Sequence, residues 1–185
     1  MSEPNGSGVN VEAQDLGYTP ERAEQLLQNY RRVLERIRAA EQDHSGARTE
    51  QSAPVRLVTV TKFFPASDAA ALLDGGVTLF GENRDQEASA KARELASYCE
   101  QRAVQPPHWA FIGQLQTNKA KSVVKYASSV HSVDRPSLAD ALAKAYANQL
   151  TRYEAGEAPA PAALENGGLD CLVQEIGRAS CRERV

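Results

Sequence analysis

Several features are missing from this chain, and each absence removes a class of function. No apolar run approaches the roughly 20 residues needed to cross a bilayer. Residues 1–18 are polar and glycine-bearing without an apolar core segment, so they read as a disordered tail and not as a secretory signal. Cysteine occurs only at Cys99, Cys171 and Cys181, with neither metal-ligand spacing nor the density of a disulfide framework. That usage fits a reducing, cytoplasmic setting. Basic residues are not in excess: the net charge of −3 provides no footprint for nucleic acid or for an anionic membrane. No Gly-x-Gly-x-x-Gly and no P-loop follows any apolar run, so the usual nucleotide-cradling readings have no support.

What is present is a globular composition, 42% apolar and 24% charged over 185 residues, enough for one domain with a core. The chain is organised around Arg56-Leu57-Val58-Thr59-Val60-Thr61-Lys62-Phe63-Phe64-Pro65. An apolar, β-branched run predicts a buried strand over residues 56–61. It ends in a lysine, and Pro65 then stops it. An ammonium is costly to strip of water, so a strand-end lysine is a poor packing choice. It suits chemistry better: a partly desolvated amine attacks an aldehyde to form a Schiff base. By itself such a lysine more often only snorkels to solvent.

The surrounding pattern supplies context. Thr19-Pro20-Glu21 is a helix start, followed by Ala23, Leu26, Leu27, Tyr30, Val33, Leu34 and Ile37 at helical spacing. Ser67 is expected to cap a short Ala/Leu helix that stops at Gly75-Gly76. Strands are predicted over 77–81, 108–113, 129–134 and 169–174. Helices are predicted over 85–98, after Thr117 as cap, and from Pro136, with a loop over 151–168. Alternating strands and helices imply parallel strands joined by crossovers, which both an open doubly wound sheet and a (β/α) barrel satisfy. Lys62, Glu82-Asn83, the segment from Gln114 to Lys119, and Asp134-Arg135 all fall at C-terminal strand ends, where barrels collect their functional groups.

Four strings carry a resemblance. They are Thr59-Val60-Thr61-Lys62; Phe80-Gly81-Glu82-Asn83 with Gln86-Glu87; Trp109-Ala110-Phe111-Ile112-Gly113-Gln114-Leu115-Gln116-Thr117-Asn118-Lys119; and His131-Ser132-Val133-Asp134. Together, over about residues 23–174, they resemble the pyridoxal-phosphate homeostasis proteins, single-domain relatives of the N-terminal barrel of alanine racemase. The resemblance implies an α/β fold, a partial (β/α)8 TIM-type, PLP-binding barrel with about five strands present and a long N-terminal helix. It implies pyridoxal 5′-phosphate held as a Schiff base on Lys62, with Asn83 lining the ring and Asn118 and Lys119 bordering the pocket. It implies a role in intracellular PLP homeostasis without established turnover. PLP-dependent apo-enzymes are the candidate recipients, and the full-length parent is expected to be monomeric.

Two departures matter. The family commonly has His after the Trp; here Ala110 stands there and His108 precedes the Trp, on the same strand face as Ala110, where it could supply an imidazole about two residues away but not at the same depth. The phosphate-binding turns and the arginine facing the pyridine nitrogen resemble segments later than Gln174. Trp109 and Phe111 read as core, His131 as a hydrogen-bonded strand residue, and Asp134-Arg135 as a cap for the next helix. Two other readings stand beside the carrier. A racemase-type enzyme would need a second acid/base across the cofactor, and D-alanine formation from L-alanine would reveal it. An interaction module would use the helix over 19–43 as its docking face.

The final eleven residues, from Glu175 to Val185, have no structural period and resemble the translation of a sequencing-library adapter. The expectation is a tail, a PLP-binding domain over 19–174 that is incomplete, and a non-native segment over 175–185. A fragment with bare sheet edges is expected to aggregate or to bind the cofactor poorly. A monomeric, cooperatively melting chain with a stoichiometric cofactor absorbance band would contradict this.

Overall fold

A computed structural model describes residues 16–43, 46 and 54–174. Residues 1–15 of the expected tail and the adapter-like segment 175–185 lie outside the described residues. Residues 16–18 are packed: Leu16 contacts the core, and the Tyr18 hydroxyl donates to Asp74 Oδ2. Tyr98 donates to the same oxygen at 2.6 Å, so one carboxylate joins three segments.

The elements alternate as anticipated. Helix α1 (Pro20–Asp43) precedes β1 (Thr59–Val60), α2 (Ala66–Asp74), β2 (Leu79–Glu82), α3 (Asp85–Arg102), β3 (His108–Phe111), α4 (Ala120–Val123), β4 (Ala127–Val133), α5 (Pro136–Glu154) and β5 (Asp170–Val173). The five strands form one sheet in the order β1-β2-β3-β4-β5, and every adjacent pair is parallel. This order separates the two architectures left open by the sequence. A doubly wound sheet reverses its strand order at a switch point. Here the order never reverses, as in a βα barrel. Right-handed crossovers that always step the same way put α2 to α5 on one face and leave the other as the inner face.

The core follows from that layering. Phe80, Trp109 and Phe111 face the helices and meet Ala88 and Leu95 of α3, Leu115, and Leu138 and Leu142 of α5. The Phe80 and Trp109 rings meet at a tilt with centroids 5.5 Å apart, and Trp109 and Phe111 are core as expected. Helix α2 buries Ala69, Ala70 and Ala71, small side chains that admit a close neighbour on each side. Helix α1 buries no residue completely. Leu26, Leu27 and Tyr30 pack against the core, and Arg22 forks onto the buried Asp68 of α2 at 3.1 and 2.6 Å. Among the described residues no helix is long and apolar enough to cross a membrane.

Several local expectations are corrected. β1 is two residues long and only partly buried, with Val60 43% exposed. β2 starts at Leu79 and not at residue 77, because the Val77 N–H is taken by Leu72 O at the end of α2. Ser67 is not a cap: Pro65 holds that position without a side-chain bond. Thr117 starts a short 3-10 turn, Thr117–Lys119, and caps nothing. Asp134-Arg135 does not cap α5; the two side chains pair with each other at 2.5 Å, and Arg135 Nη2 donates to Leu115 O at 2.9 Å. Helix α3 continues beyond residue 98 to Arg102, and α5 runs to Glu154, into the predicted loop. Thr19 does cap α1, accepting from the Arg22 N–H at 3.2 Å.

Burial is uneven across the sheet. β2 to β4 are largely covered, whereas all four residues of β5 are exposed, Val173 by 77% and Leu172 by 47%. An exposed apolar edge strand pairs readily with another chain. Leu172→Lys with Val173→Lys is expected to lower self-association at tens of micromolar about tenfold or more, the charges opposing edge pairing. Sedimentation velocity would check it, and an unchanged distribution would place the association elsewhere.

Candidate functional site

Register identifies which side chains share the inner face. Val60 pairs with Gly81, Gly81 with Ala110, and Ala110 with Ser129. Thr59, Phe80 and Trp109 pair on the opposite, helix-facing side. Strand alternation then sends Thr61 and Glu82 toward the helices, where both meet Lys91 of α3, and Lys62 and Asn83 follow them at the C-terminal rim of the sheet. The Thr61 N–H donates to Gly81 O at 3.1 Å, which carries the ladder to the residue before the lysine.

Lys62 sits in a tight turn. Phe64 N–H donates to Thr61 O at 3.1 Å, and Phe63 between them has φ +69°. A bulky residue in the left-handed region costs on the order of 1–3 kcal/mol and clusters at functional positions. The local cause is legible. Pro65 disfavours a helical Phe64, so the whole reversal falls on Lys62 and Phe63. The Phe63 ring is exposed and lies between two cations, with Lys62 Nζ 5.6 Å and Arg84 Cζ 5.8 Å from its centroid.

Asn83 is half-buried at the end of β2, and its Oδ1 is fully buried without a hydrogen-bond partner. The β3–α4 loop presses against it: a Cβ on Gly113 would stand 2.1 Å from Asn83 O. Only glycine permits this approach. Ser132 Oγ donates to Gly113 O from β4, so the ends of β2, β3 and β4 are sewn together.

Behind the rim lies a buried polar cluster. Lys91 Nζ of α3 donates to Thr61 O at 2.8 Å and to Glu82 Oε1 at 2.5 Å, and Thr61 Oγ1 donates to the same Glu82 oxygen at 2.8 Å. Sequence reasoning did not single out Lys91. Its signal was a lysine at core spacing, between the inward Ala88, Ala92 and Leu95 of α3.

The predicted site residues divide. Lys62 and Asn83 come to one rim of the sheet, each following the end of one of two paired strands. Asn118 and Lys119 are exposed on the neighbouring 3-10 turn, with Lys119 Nζ 3.7 Å from Asp85 Oδ2 on the first turn of α3. The same Asp85 accepts from Tyr126, whose phenol is pushed up first by burial and then by the charge of Asp85. His108 is corrected: it is exposed at the first position of β3, paired with Leu79 at the start of β2, on the rim opposite Lys62. Parallel strands hold their starts and ends on different rims, so its imidazole cannot replace one beside the lysine.

His131 is on the inner face two residues after Ser129, whose Oγ is 3.1 Å from its Nε2. Burial, and then the nearby Arg56, lower its pKa from the usual 6.5, against the opposing charge of Asp170, so the ring is neutral at pH 7. A groove of about 510 Å³ lies elsewhere, against the outer edge of β1 and lined by Leu26, Tyr30, Val33, Val58, Val60 and Leu72 among others; Lys62 and Asn83 do not line it. Among the described residues no cluster of His, Cys, Asp or Glu is placed to hold a metal ion.

A one-way parallel βα series of five strands, with Lys62 and Asn83 at its C-terminal rim, is part of a βα barrel. Over the matched residues the chain is homologous to the pyridoxal phosphate homeostasis proteins. That of Mycobacterium bovis is 36% identical over 148 residues, 78% of this chain and 56% of that protein. That of Corynebacterium glutamicum is 45% identical over 98 residues, 53% of this chain and 40% of that protein. The chain spans about half the length of the curated relatives it matches. A crystal structure of an unknown protein from Bifidobacterium adolescentis superposes with a TM-score of 0.61 at 34% identity, covering 71% of this chain and 53% of that one. No protein-family model matches the chain.

Gly113→Ala tests the contact that seats Asn83. The added methyl must displace backbone, and a loss of about 1–3 kcal/mol is expected. Urea denaturation followed by the fluorescence of Trp109, the single tryptophan, would measure it; an unchanged midpoint would show that the β2–β3 rim yields without cost.

Proposed function

We propose that this chain binds pyridoxal 5′-phosphate through a covalent bond to Lys62 Nζ and serves PLP homeostasis in the cytoplasm, holding the cofactor for PLP-dependent apo-enzymes. The observation that carries the reading is the pairing of a strand-end lysine with the unpartnered Asn83 amide oxygen at one rim of the sheet. The names of the homologous proteins support it.

The residues present fit such a group. The cofactor supplies an aldehyde that condenses with an amine and a pyridine ring that withdraws electrons. Lys62 offers the amine at the turn where the chain leaves the sheet. Asn83 offers a buried amide oxygen that otherwise lacks a partner, an arrangement that costs about 1–3 kcal/mol until a donor bonds it. Arg84 and the Phe63 ring flank the approach to Lys62. Asn118 and Lys119 form the outer border on the β3 side, where the Asp85 carboxylate holds the lysine.

Borohydride reduction tests this directly, because each reduced adduct is permanent and weak binding still accumulates product. After incubation with pyridoxal 5′-phosphate and reduction, the phosphopyridoxyl mass is expected on the peptide containing Lys62. Lys62→Ala should lower total incorporation about tenfold, to the level of exposed surface lysines. Label spread over Lys119, Lys121 and Lys125 with Lys62 unmodified would refute the assignment.

A further inference from the structure

We propose that Glu82 and Lys91 are positioning residues for Lys62: a buried ion pair on the helix side of the sheet fixes the peptide from which the lysine projects. This rests on Lys62 being the residue that takes the cofactor.

The geometry is specific to Thr61. Each of its polar groups is engaged. Its N–H donates to Gly81 O, its hydroxyl donates to Glu82 Oε1, and its carbonyl accepts from both the Phe64 N–H and Lys91 Nζ. Two of those four bonds end on the Glu82–Lys91 pair. Thr61 is 2% exposed, Glu82 1% and Lys91 8%, so water does not compete for these contacts. The next residue is Lys62, and the one after it sits in the strained left-handed conformation. That strain persists only where the surroundings over-determine the backbone. Three bonds from outside the turn constrain its first residue, and the one on the Thr61 carbonyl, the group that also closes the turn, comes from Lys91.

The arrangement is also uneconomical as pure packing. Glu82 Oε1 accepts two hydrogen bonds while Oε2 is buried with none. A buried pair of this kind generally stabilises no better than apolar residues of the same volume. Its directional value is greater, because it ties α3 to the end of β1 across the end of β2. Adjacent residues at the end of β2 thereby take separate duties: Glu82 holds the lysine's backbone from behind, and Asn83 follows it with its own amide oxygen buried and unpartnered.

The test is site selectivity of the reduced adduct in the full chain, with pyridoxal 5′-phosphate and borohydride as the probe. Glu82→Met with Lys91→Met removes the pair while keeping the site filled. Its fold is monitored by Trp109 fluorescence. The expected result is a native-like emission with the Lys62 share of total label falling about tenfold or more, since a displacement of about 1 Å is enough to cost that much. Lys91→Arg, which keeps a charged donor, should recover part of the selectivity. Should the double variant fail to fold, Thr61→Val, isosteric and still β-branched, removes only the hydroxyl bond and should lower the Lys62 share severalfold. Unchanged selectivity in a folded double variant, or in Thr61→Val, would overturn the positioning role. Absence of selective Lys62 label in the unmodified chain would instead overturn the cofactor assignment itself.

Discussion

A parallel strand can pair with its predecessor only after the chain has travelled back to the end where that predecessor began. This requirement organises the molecule. It imposes a crossover between every two strands, and here α-helices supply these crossovers. Because each step goes the same way, the helices share one face, and every strand delivers its last residue to the same rim. Lys62 and Asn83 are neighbours for that reason, although 21 positions separate them. His108 begins its strand and is consigned to the other rim for the same reason.

The period-two alternation of a strand then divides labour between consecutive residues. Thr61 and Glu82 turn to the helices and enter a buried network with Lys91, and Lys62 and Asn83 follow them at the rim of the sheet. The rim is held by the structural face through a single peptide bond. Packing reinforces this on the β3 side, where Gly113 lets one backbone lie directly on another and the Ser132 and Arg135 side chains secure the loop carbonyls.

The elements themselves were largely legible in the sequence. Helical spacing in residues 23–37 and the alternating strands report burial patterns that depend only on local period, and those elements are found. The errors fall where a neighbour decides. Val77 resembles a strand residue, but its N–H is drawn into the end of α2, and β2 starts two residues later accordingly. Ser67 and Thr117 have the chemistry of caps, yet Pro65 begins one helix and a 3-10 turn precedes the other. Asp134-Arg135 looked like a capping pair and is instead a tie between loops. Lys91 escaped notice because a lysine on a helix is ordinarily a solvated residue; its core spacing with Ala88, Ala92 and Leu95 was the local signal, and the buried carboxylate that receives it lies on another element.

The sequence alone determined that strands and helices alternate, that Lys62 ends one strand and Asn83 another, and that the surrounding strings resemble those of a PLP-binding family. Each follows from residue type and spacing along one line. Tertiary structure decided the strand order and hence which architecture is adopted, the face on which each rim residue emerges, and the partners of Thr61. Those depend on register between segments distant in sequence, and a one-residue slip would turn Thr61 away from the helices.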